Sequence, residues 1–433
     1  MDAALTMACT SDLAGLVRGK GFATSDLEKK IARGVGWTPT NAQITCFDSI
    51  ADSPYGALGD LVLWPDQDTL ARCALPNGRS TSFLMGDITE LDGTPWECCT
   101  RSILKSTLAQ FEGVSGLELR ATFEHEFMLP SESRSRAFTL QGFNEAQPFA
   151  EALLNALAGA NIAPDSFLRE YGPNQFEVTL PPAQALRAAD EATMLREITR
   201  STAAAMELDA TFSPLTGSEV VGNGVHIHFS LWAPDGKPVT HDVSGQDGLS
   251  KHASAFVAGI LTHLNAVSAL TAPSAISSLR LVPHRWSAAY NNLGAQDREA
   301  AIRICPVSAR DADARARQFN FEFRAADAAA SPYLALAALV AAGTIGIQEG
   351  LEADAATVED LSLLSAADLK TRGLKRLPEN LTMALDDFSA AKDLLAAFPK
   401  RFPDIYVAHK LGELAHVADM SDDERFAQYQ TTY

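Results

Sequence analysis

The sequence predicts an α+β fold in two domains, and three patterns carry that reading. Residues 1–105 alternate short strand-like runs with turns. From Leu117 onward, strand-like segments alternate with long helical ones, and the last third is mostly helical by periodicity. A chain of 433 residues, 46% hydrophobic and 21% charged, is long enough to bury a large core.

In chain order, "ITCFDSI", "DLVLWP" and "STSFLMGDI" read as strands of a small sheet domain, residues 1–105. Turns at Pro54, Gly56, Pro65-Asp66 and Pro76-Asn77-Gly78 punctuate them. "RSILKSTLAQF" has helical periodicity and leads into a second, larger domain, residues 106–433. Long helices are expected over residues 183–208 and 253–270. Ser331-Pro332 starts another: Ser can cap free N–H groups and Pro suits the first turn. The Ala-rich run after it, residues 333–347, reads as a core helix and is too short to span a bilayer.

A formal charge of −19 argues against a nucleic-acid surface, which wants clustered Lys and Arg. The six cysteines show no Cys-x-x-Cys spacing, so reduced thiols are the expectation. The N-terminus lacks the basic start and apolar run of a secretion signal. Together these point to a cytoplasmic protein with no membrane and no nucleic-acid partner.

Several strand-like segments pair polar groups two residues apart, which places both on one face. "ATFEHEFML" does so with Glu124 and Glu126, leaving His125 on the other side. "NGVHIHFSL" presents His226 and His228, "FNFEFRAAD" presents Glu322 and Arg324, and "EYGPNQFEVTL" adds Glu170 and Glu177. Any one pair alone is most often an ordinary strand face or an ion pair. Five carboxylates with one or two histidines, however, match hard divalent cations such as Mg²⁺ or Mn²⁺, and suffice for two ions. Two ions imply phosphoryl chemistry or hydrolysis. Arg280, Arg298, Arg303 and Arg324 are planar bidentate donors that favour phosphoryl chemistry. The chain has no Walker loop and no dinucleotide glycine motif, so a nucleotide would need another scaffold.

In this order the motifs resemble glutamine synthetase and its relatives, the γ-glutamyl-amine ligases. "GDLVLWPDQDTL" is similar to the family's early D-x-V-L-x-P-D stretch, and "FEHEFML" to its E-x-E-F-F-L strand. "EYGPNQFEV" resembles E-x-x-P-x-Q-x-E, and "GNGVHIHFSL" resembles G-S-G-M-H-x-H-x-S-L. "LRLVP", "REAAIRICP" and "FEFRAADAAASPYL" resemble K-R-L-V-P, R-S-A-S-I-R-I-P and the E-V-R-F-P-D segment. The resemblance implies a β-grasp N-terminal domain and a catalytic domain of the glutamine synthetase/guanido kinase type, with a curved antiparallel sheet. It implies ATP as a substrate, two or more Mg²⁺ or Mn²⁺ ions, and a dodecamer-like homo-oligomeric ring with active sites between subunits. Carried over by position, Glu126, Glu170 and Glu177 would hold one ion, and Glu124, His226 and Glu322 the other. Arg298 and Arg303 would contact ATP phosphates, with His228 and Ser230 near the nucleotide. Arg280 and Arg324 would hold the acid substrate and its phosphorylated form, near Glu126 and His226.

The chain departs from the family's pattern on the acceptor side. The flap Glu expected six residues after the Arg of R-L-V-P is Trp286, which cannot accept a proton. Val221 replaces an Asn of the acid-substrate loop, and Leu215 replaces the Lys of F-M-P-K-P. Asp48 and Asp52 are both candidates for the Asp associated with ammonium binding. No tyrosine occurs between Tyr333 and Tyr406, so the regulatory adenylylation site is not expected. The resemblance with these departures implies an ATP-dependent carboxylate–amine ligase that joins the γ-carboxylate of glutamate to an organic primary amine. Glutamine synthesis from ammonia and a non-catalytic structural or regulatory relative are the alternatives.

Overall fold

A computed structural model describes residues 3–130 and 136–433. The N-terminal sheet holds six strands among the described residues: β1 (Leu5–Ser11), β2 (Val17–Ala23), β3 (Val35–Trp37), β4 (Leu61–Pro65), β5 (Ala71–Ala74) and β6 (Ser80–Thr89). Its order is β2-β1-β6-β4-β3, with β5 also on β6 and a parallel β1–β6 pair at the centre. "DLVLWP" and "STSFLMGDI" become β4 and β6 as expected. "ITCFDSI" does not become a strand. Asp48 takes a positive φ of 55° and the turn closes on Thr45, leaving only an isolated Ile44–Ile50 bridge. Here the turn chemistry of Asp and Ser outweighs β-propensity.

The second sheet comprises β7 (Glu118–Met128), β8 (Ser166–Arg169), β9 (Gln175–Thr179), β10 (Ala183–Gln184), β11 (Val225–Trp232), β12 (Tyr290–Ala295), β13 (Ala300–Ile304) and β14 (Phe321–Phe323). They lie in the order β12-β13-β14-β11-β7-β9-β8, with β10 on β7, and all pairs except β12–β13 are antiparallel. One face of this sheet packs on helices and the other carries the charged rows described below.

The helix Pro332–Glu349 is the centre of the core, buried from Pro332 to Gly346. It is apolar on every side, as a helix surrounded by protein must be. At 18 residues it is longer than the expected run of 333–347 and, contrary to that expectation, long and apolar enough to cross a membrane, but its burial marks it as a core helix. Gly346 and Gly259 let it approach the helix Lys251–Thr262 closely, since a Cβ at either would collide with backbone of the other helix. Ser331 occupies the N-cap position as expected, but its hydroxyl faces Ser11 Oγ at 3.3 Å instead of capping. The expected single helix over residues 253–270 is two, Lys251–Thr262 and Leu264–Thr271, meeting at 77°. The bend lets the first half pack on Pro332–Glu349 and the second on the helix Leu381–Ala390.

Buried polar contacts fasten the two sheets' surroundings together. Arg196, fully buried, donates to the carbonyls of Ala328, Ala330 and Gly15. Arg101, buried beside Asp190, also reaches Asp66 and Asp87 of the N-terminal region. Charge-assisted bonds of this kind are among the stronger ones, and losing one partner would strand a buried charge.

Candidate active site

Cross-strand register builds the site. On β7, Glu124 and Glu126 share a face because strand side chains alternate. Glu126 stands opposite Glu177 of β9, and Glu124 stands opposite His226 of β11. Two residues further on, His228 stands opposite Glu322 of β14, which in turn stands opposite Arg303 of β13. A row of four strands therefore delivers the groups that "FEHEF", "NQFEV", "VHIHF" and "FNFEF" presented separately. His125 points to the other face, buried between Phe123 and Phe212. Burial pushes its imidazole down to about 3, so it is a neutral core residue.

The resulting cluster is tight. His226 Nδ1 lies 3.5 Å from both a Glu124 and a Glu322 oxygen, and His228 Nε2 lies 3.2 Å from Glu124. Glu322 accepts from Arg303 at 2.8 Å and also from Arg324. Glu126 accepts from the backbone N–H of Gly224 at 2.6 Å. A Cβ on Gly224 would press against Arg280, His226 and Glu126, so glycine there keeps the loop against the site.

Electrostatics divides the carboxylates into two kinds. Burial opposes charge on Glu322, but Arg324, both histidines and Arg303 outweigh it and hold the carboxyl down at about 2. Burial likewise opposes charge on Glu124, yet bonds from His226 and His228 carry it below the ordinary range. Glu177 has no such cation: burial and then Glu124, Glu126, Glu170 and Glu322 push it up to about 9. Glu170 is raised for the same reasons, burial first and Glu126 second. Like charges about 4 Å apart repel by roughly 4 kcal/mol at an effective dielectric near 20, more than an ordinary hydrogen bond returns. Glu177 thus sits among carboxylates that disfavour its charge.

Among the described residues, three three-residue groups have ligand atoms all within 4.8 Å of one another: Glu124, His226 and Glu322; Glu126, Glu177 and His226; and His228, Cys305 and Glu322. The first matches an expected set in full. The second contains Glu126 and Glu177 but substitutes His226 for Glu170. Glu170 follows the end of β8, its carboxylate accepting from the N–H of Tyr171 while still lining the same cavity.

That cavity has a volume of about 550 Å³. Of the other expected residues, Arg280, Arg298, Arg303, Arg324, His228 and Trp286 line it, and Ser230 does not. Ser230 is buried two residues further along β11, where its Oγ accepts from Trp232 Nε1. Arg280 is buried with bonds to Ser287 and the Ala326 carbonyl, and Arg324 donates to the carbonyls of Arg298 and Trp286. Val221 is in the lining, Leu215 is in the core, and Asp48 and Asp52 lie on an exposed N-terminal loop away from it.

Sequence reasoning missed several supporting residues. Gln175 bonds the Gly222 carbonyl and Asn223 at 3.0 Å each and approaches Glu126 at 3.4 Å, tying the glycine loop to β9. Its place in "GPNQFE" was the available signal. Glu299 accepts the N–H groups of His284 and Trp286 at 3.0 and 3.1 Å, and both of those residues take positive φ. No motif marked Glu299, because its work is holding a loop.

Fold and site together define a class: a two-domain α+β protein whose second sheet gathers carboxylates, imidazoles and arginines around one cavity. Sequence profiles of the glutamine synthetase N-terminal domain and the glutamine synthetase catalytic domain match residues 2–96 and 97–429. The chain belongs to the glutamine synthetase family, whose members are ATP-dependent ligases that form C–N bonds and use divalent metals. It is 33% identical to the γ-glutamylpolyamine synthetase GlnA3 of Streptomyces coelicolor, over 98% of this chain and 92% of that one. It is 31% identical to a glutamine synthetase of Methanococcus maripaludis, over 78% and 76% of the two chains. A crystal structure described as a novel glutamine synthase homolog is 41% identical and superposes with a TM-score of 0.92, covering 100% of this chain and 99% of that one. The GmaS/ADP complex, at 24% identity and a TM-score of 0.82, covers 98% and 96% and shares the fold.

Proposed function

We propose that the protein activates the γ-carboxylate of glutamate with ATP and joins it to an organic primary amine in preference to ammonia. The observation that carries this reading is Trp286, which lines the cavity where a flap carboxylate would be needed to take a proton from ammonium. The carboxylate nearby in sequence, Glu299, is engaged in holding the Trp286 loop. The polyamine acceptor in the name of the Streptomyces relative supports the same direction.

The residues present fit divalent cations, because Glu177 sits among Glu124, Glu126, Glu170 and Glu322, all of which oppose its ionisation. Glu126 and Glu177 would hold one ion with Glu170 on its outer side, and Glu124, His226 and Glu322 the other, Mg²⁺ or Mn²⁺. Such ions supply positive charge against which phosphoryl oxygens are neutralised. Arg298 and Arg303 face the phosphates, with His228 toward the nucleotide. Arg280 and Arg324, both fixed by backbone carbonyls, orient the acid.

In the first step a carboxylate oxygen attacks the γ-phosphorus; the new O–P bond forms as the bond to the β-phosphate oxygen breaks, and ADP leaves. In the second the amine nitrogen attacks the acyl carbon; the C–N bond forms, and the C–O electron pair leaves with phosphate. The ammonium loses one proton before attack, for which Glu170 is placed at the cavity wall, and a second as the amide forms. We further propose that residues 1–105 meet a neighbouring subunit's catalytic region, residues 106–433, in a ring, with Asp48 and Asp52 exposed for that contact.

The test is ATP- and glutamate-dependent phosphate release across a panel of primary amines and ammonium. Turnover with organic amines and little with ammonium is expected. Equal or better turnover with ammonium would return the protein to glutamine synthesis, and no turnover with any acceptor would point to a non-catalytic relative.

A further inference from the structure

Resting on that reading, we propose that the acceptor is a primary amine with a single positive charge and an apolar, preferably aromatic, body. Two large exposed aromatic side chains line the cavity, and a third packs against one of them. Phe138 and Trp286 line it and are 64% and 52% exposed, and Tyr171 is 60% exposed. Tyr171 meets the Trp286 ring edge-on, with centroids 4.8 Å apart. Leu168 adds aliphatic surface to the same lining. Aromatic surface left open at a cavity mouth invites an occupant, whereas scattered single apolar residues would not.

The backbone presents this collar deliberately. Phe138 and Trp286 both take positive φ, at 56° and 53°, a conformation that bulky residues rarely adopt. Trp286 is held in it by the bond from its N–H to Glu299, and its carbonyl receives Arg324. The backbone that carries the ring is therefore bonded to the arginine that orients the acid, so an amine body stacked on Trp286 would sit near the acyl group it must attack.

Charge on the wall sets the second half of the proposal. Glu170, next in sequence to Tyr171, is the carboxylate that meets the reacting ammonium. Arg285, one residue before Trp286, lines the same cavity with its guanidinium bonded to the Val220 carbonyl at 3.2 Å. A distal ammonium of a diamine or polyamine would face that guanidinium, whereas an aryl or alkyl body would not. An aromatic side chain next in the chain to Arg285, in a cavity already lined by four other arginines, favours a monoamine with an apolar tail over a diamine.

The experiment measures kcat and KM for 2-phenylethylamine, butylamine, putrescine, spermidine and ammonium with the full-length protein and with Phe138→Ala, Tyr171→Ala and Tyr171→Phe. The expected order of kcat/KM is phenylethylamine, then butylamine, then the polyamines. Each Ala variant should raise the phenylethylamine KM roughly tenfold, the scale of one lost aromatic contact, with kcat within about twofold. Tyr171→Phe should restore the KM, since the ring and not the hydroxyl is invoked. Polyamines preferred over phenylethylamine would overturn this inference while leaving an organic-amine ligase standing. Ala variants that leave KM untouched and instead change the oligomeric mass by light scattering would assign the collar to a subunit contact. Ammonium as the best acceptor would overturn the underlying reading itself.

Discussion

The two ends of the cavity are built by different means. The carboxylate and imidazole end is carried on β7, β9, β11 and β14, where each group is fixed by cross-strand register. The acceptor end is carried on loops: Trp286 and Arg285 between elements, Tyr171 in the turn after β8, and Phe138 ahead of the helix Leu140–Ala158. A sheet cannot move one ligand without shifting a whole row, so chemistry common to the family is placed there. A loop can exchange one side chain at little structural cost, so specificity is placed there.

The largest effects should come from the strand end. Glu124→Ala and Glu126→Ala should each abolish phosphate release, by on the order of 10³-fold or more, if each holds an ion at the proposed phosphoryl site. His125→Ala, between them in sequence, should instead cost on the order of 3 kcal/mol of stability through loss of a buried ring, with turnover of the folded fraction retained. Comparable loss of turnover in all three would break the alternation on which the comparison rests.

At the loop end, Trp286→Glu should shift the acceptor ratio toward ammonium by roughly 10- to 100-fold while lowering kcat/KM for the organic amine. A variant that loses both acceptors equally would mean that the ring supports the site and does not select the amine. Smaller again, Glu299→Gln should raise the amine KM a few-fold by weakening the two N–H bonds that hold His284 and Trp286 (about 1 kcal/mol each).

The smallest effect is a titration at the carboxylate end. Glu177 is raised from its ordinary value of 4.5 to about 9, so the metal-free protein binds this proton more tightly folded than unfolded. Its contribution to stability is full below the unfolded value and is lost as pH rises toward about 9. Differential scanning fluorimetry should therefore show Mg²⁺ or Mn²⁺ raising Tm more at alkaline than at mildly acidic pH. Glu177→Gln should remove that difference; a metal effect independent of pH would show that Glu177 is not a ligand.

How legible each end was follows from the same contrast. Spacing-two pairs such as Glu124/Glu126 and His226/His228 could be assigned to one face from sequence because strand geometry permits no other arrangement. Which pairs would face each other depends on strand order, and β9 and β14 reach β7 and β11 across long sequence separations that periodicity does not encode. Trp286 was visible as a departure from a motif, but Phe138, Tyr171 and Arg285 were not, since loop residues carry no periodic signal. The bend at His263 escaped for a related reason: each half of the segment is a good helix, and only tertiary packing decides where they part. Ser230 shows the converse, a motif position whose hydroxyl is taken up by Trp232.

The most direct test of the central claim is a one-pot competition. Glutamate, ATP and Mg²⁺ are supplied with equal concentrations of ammonium and 2-phenylethylamine, and the products are counted by mass spectrometry. An excess of γ-glutamyl-phenylethylamide over glutamine is expected from a cavity that carries Trp286 in place of a proton-accepting flap residue. Glutamine as the main product would contradict it.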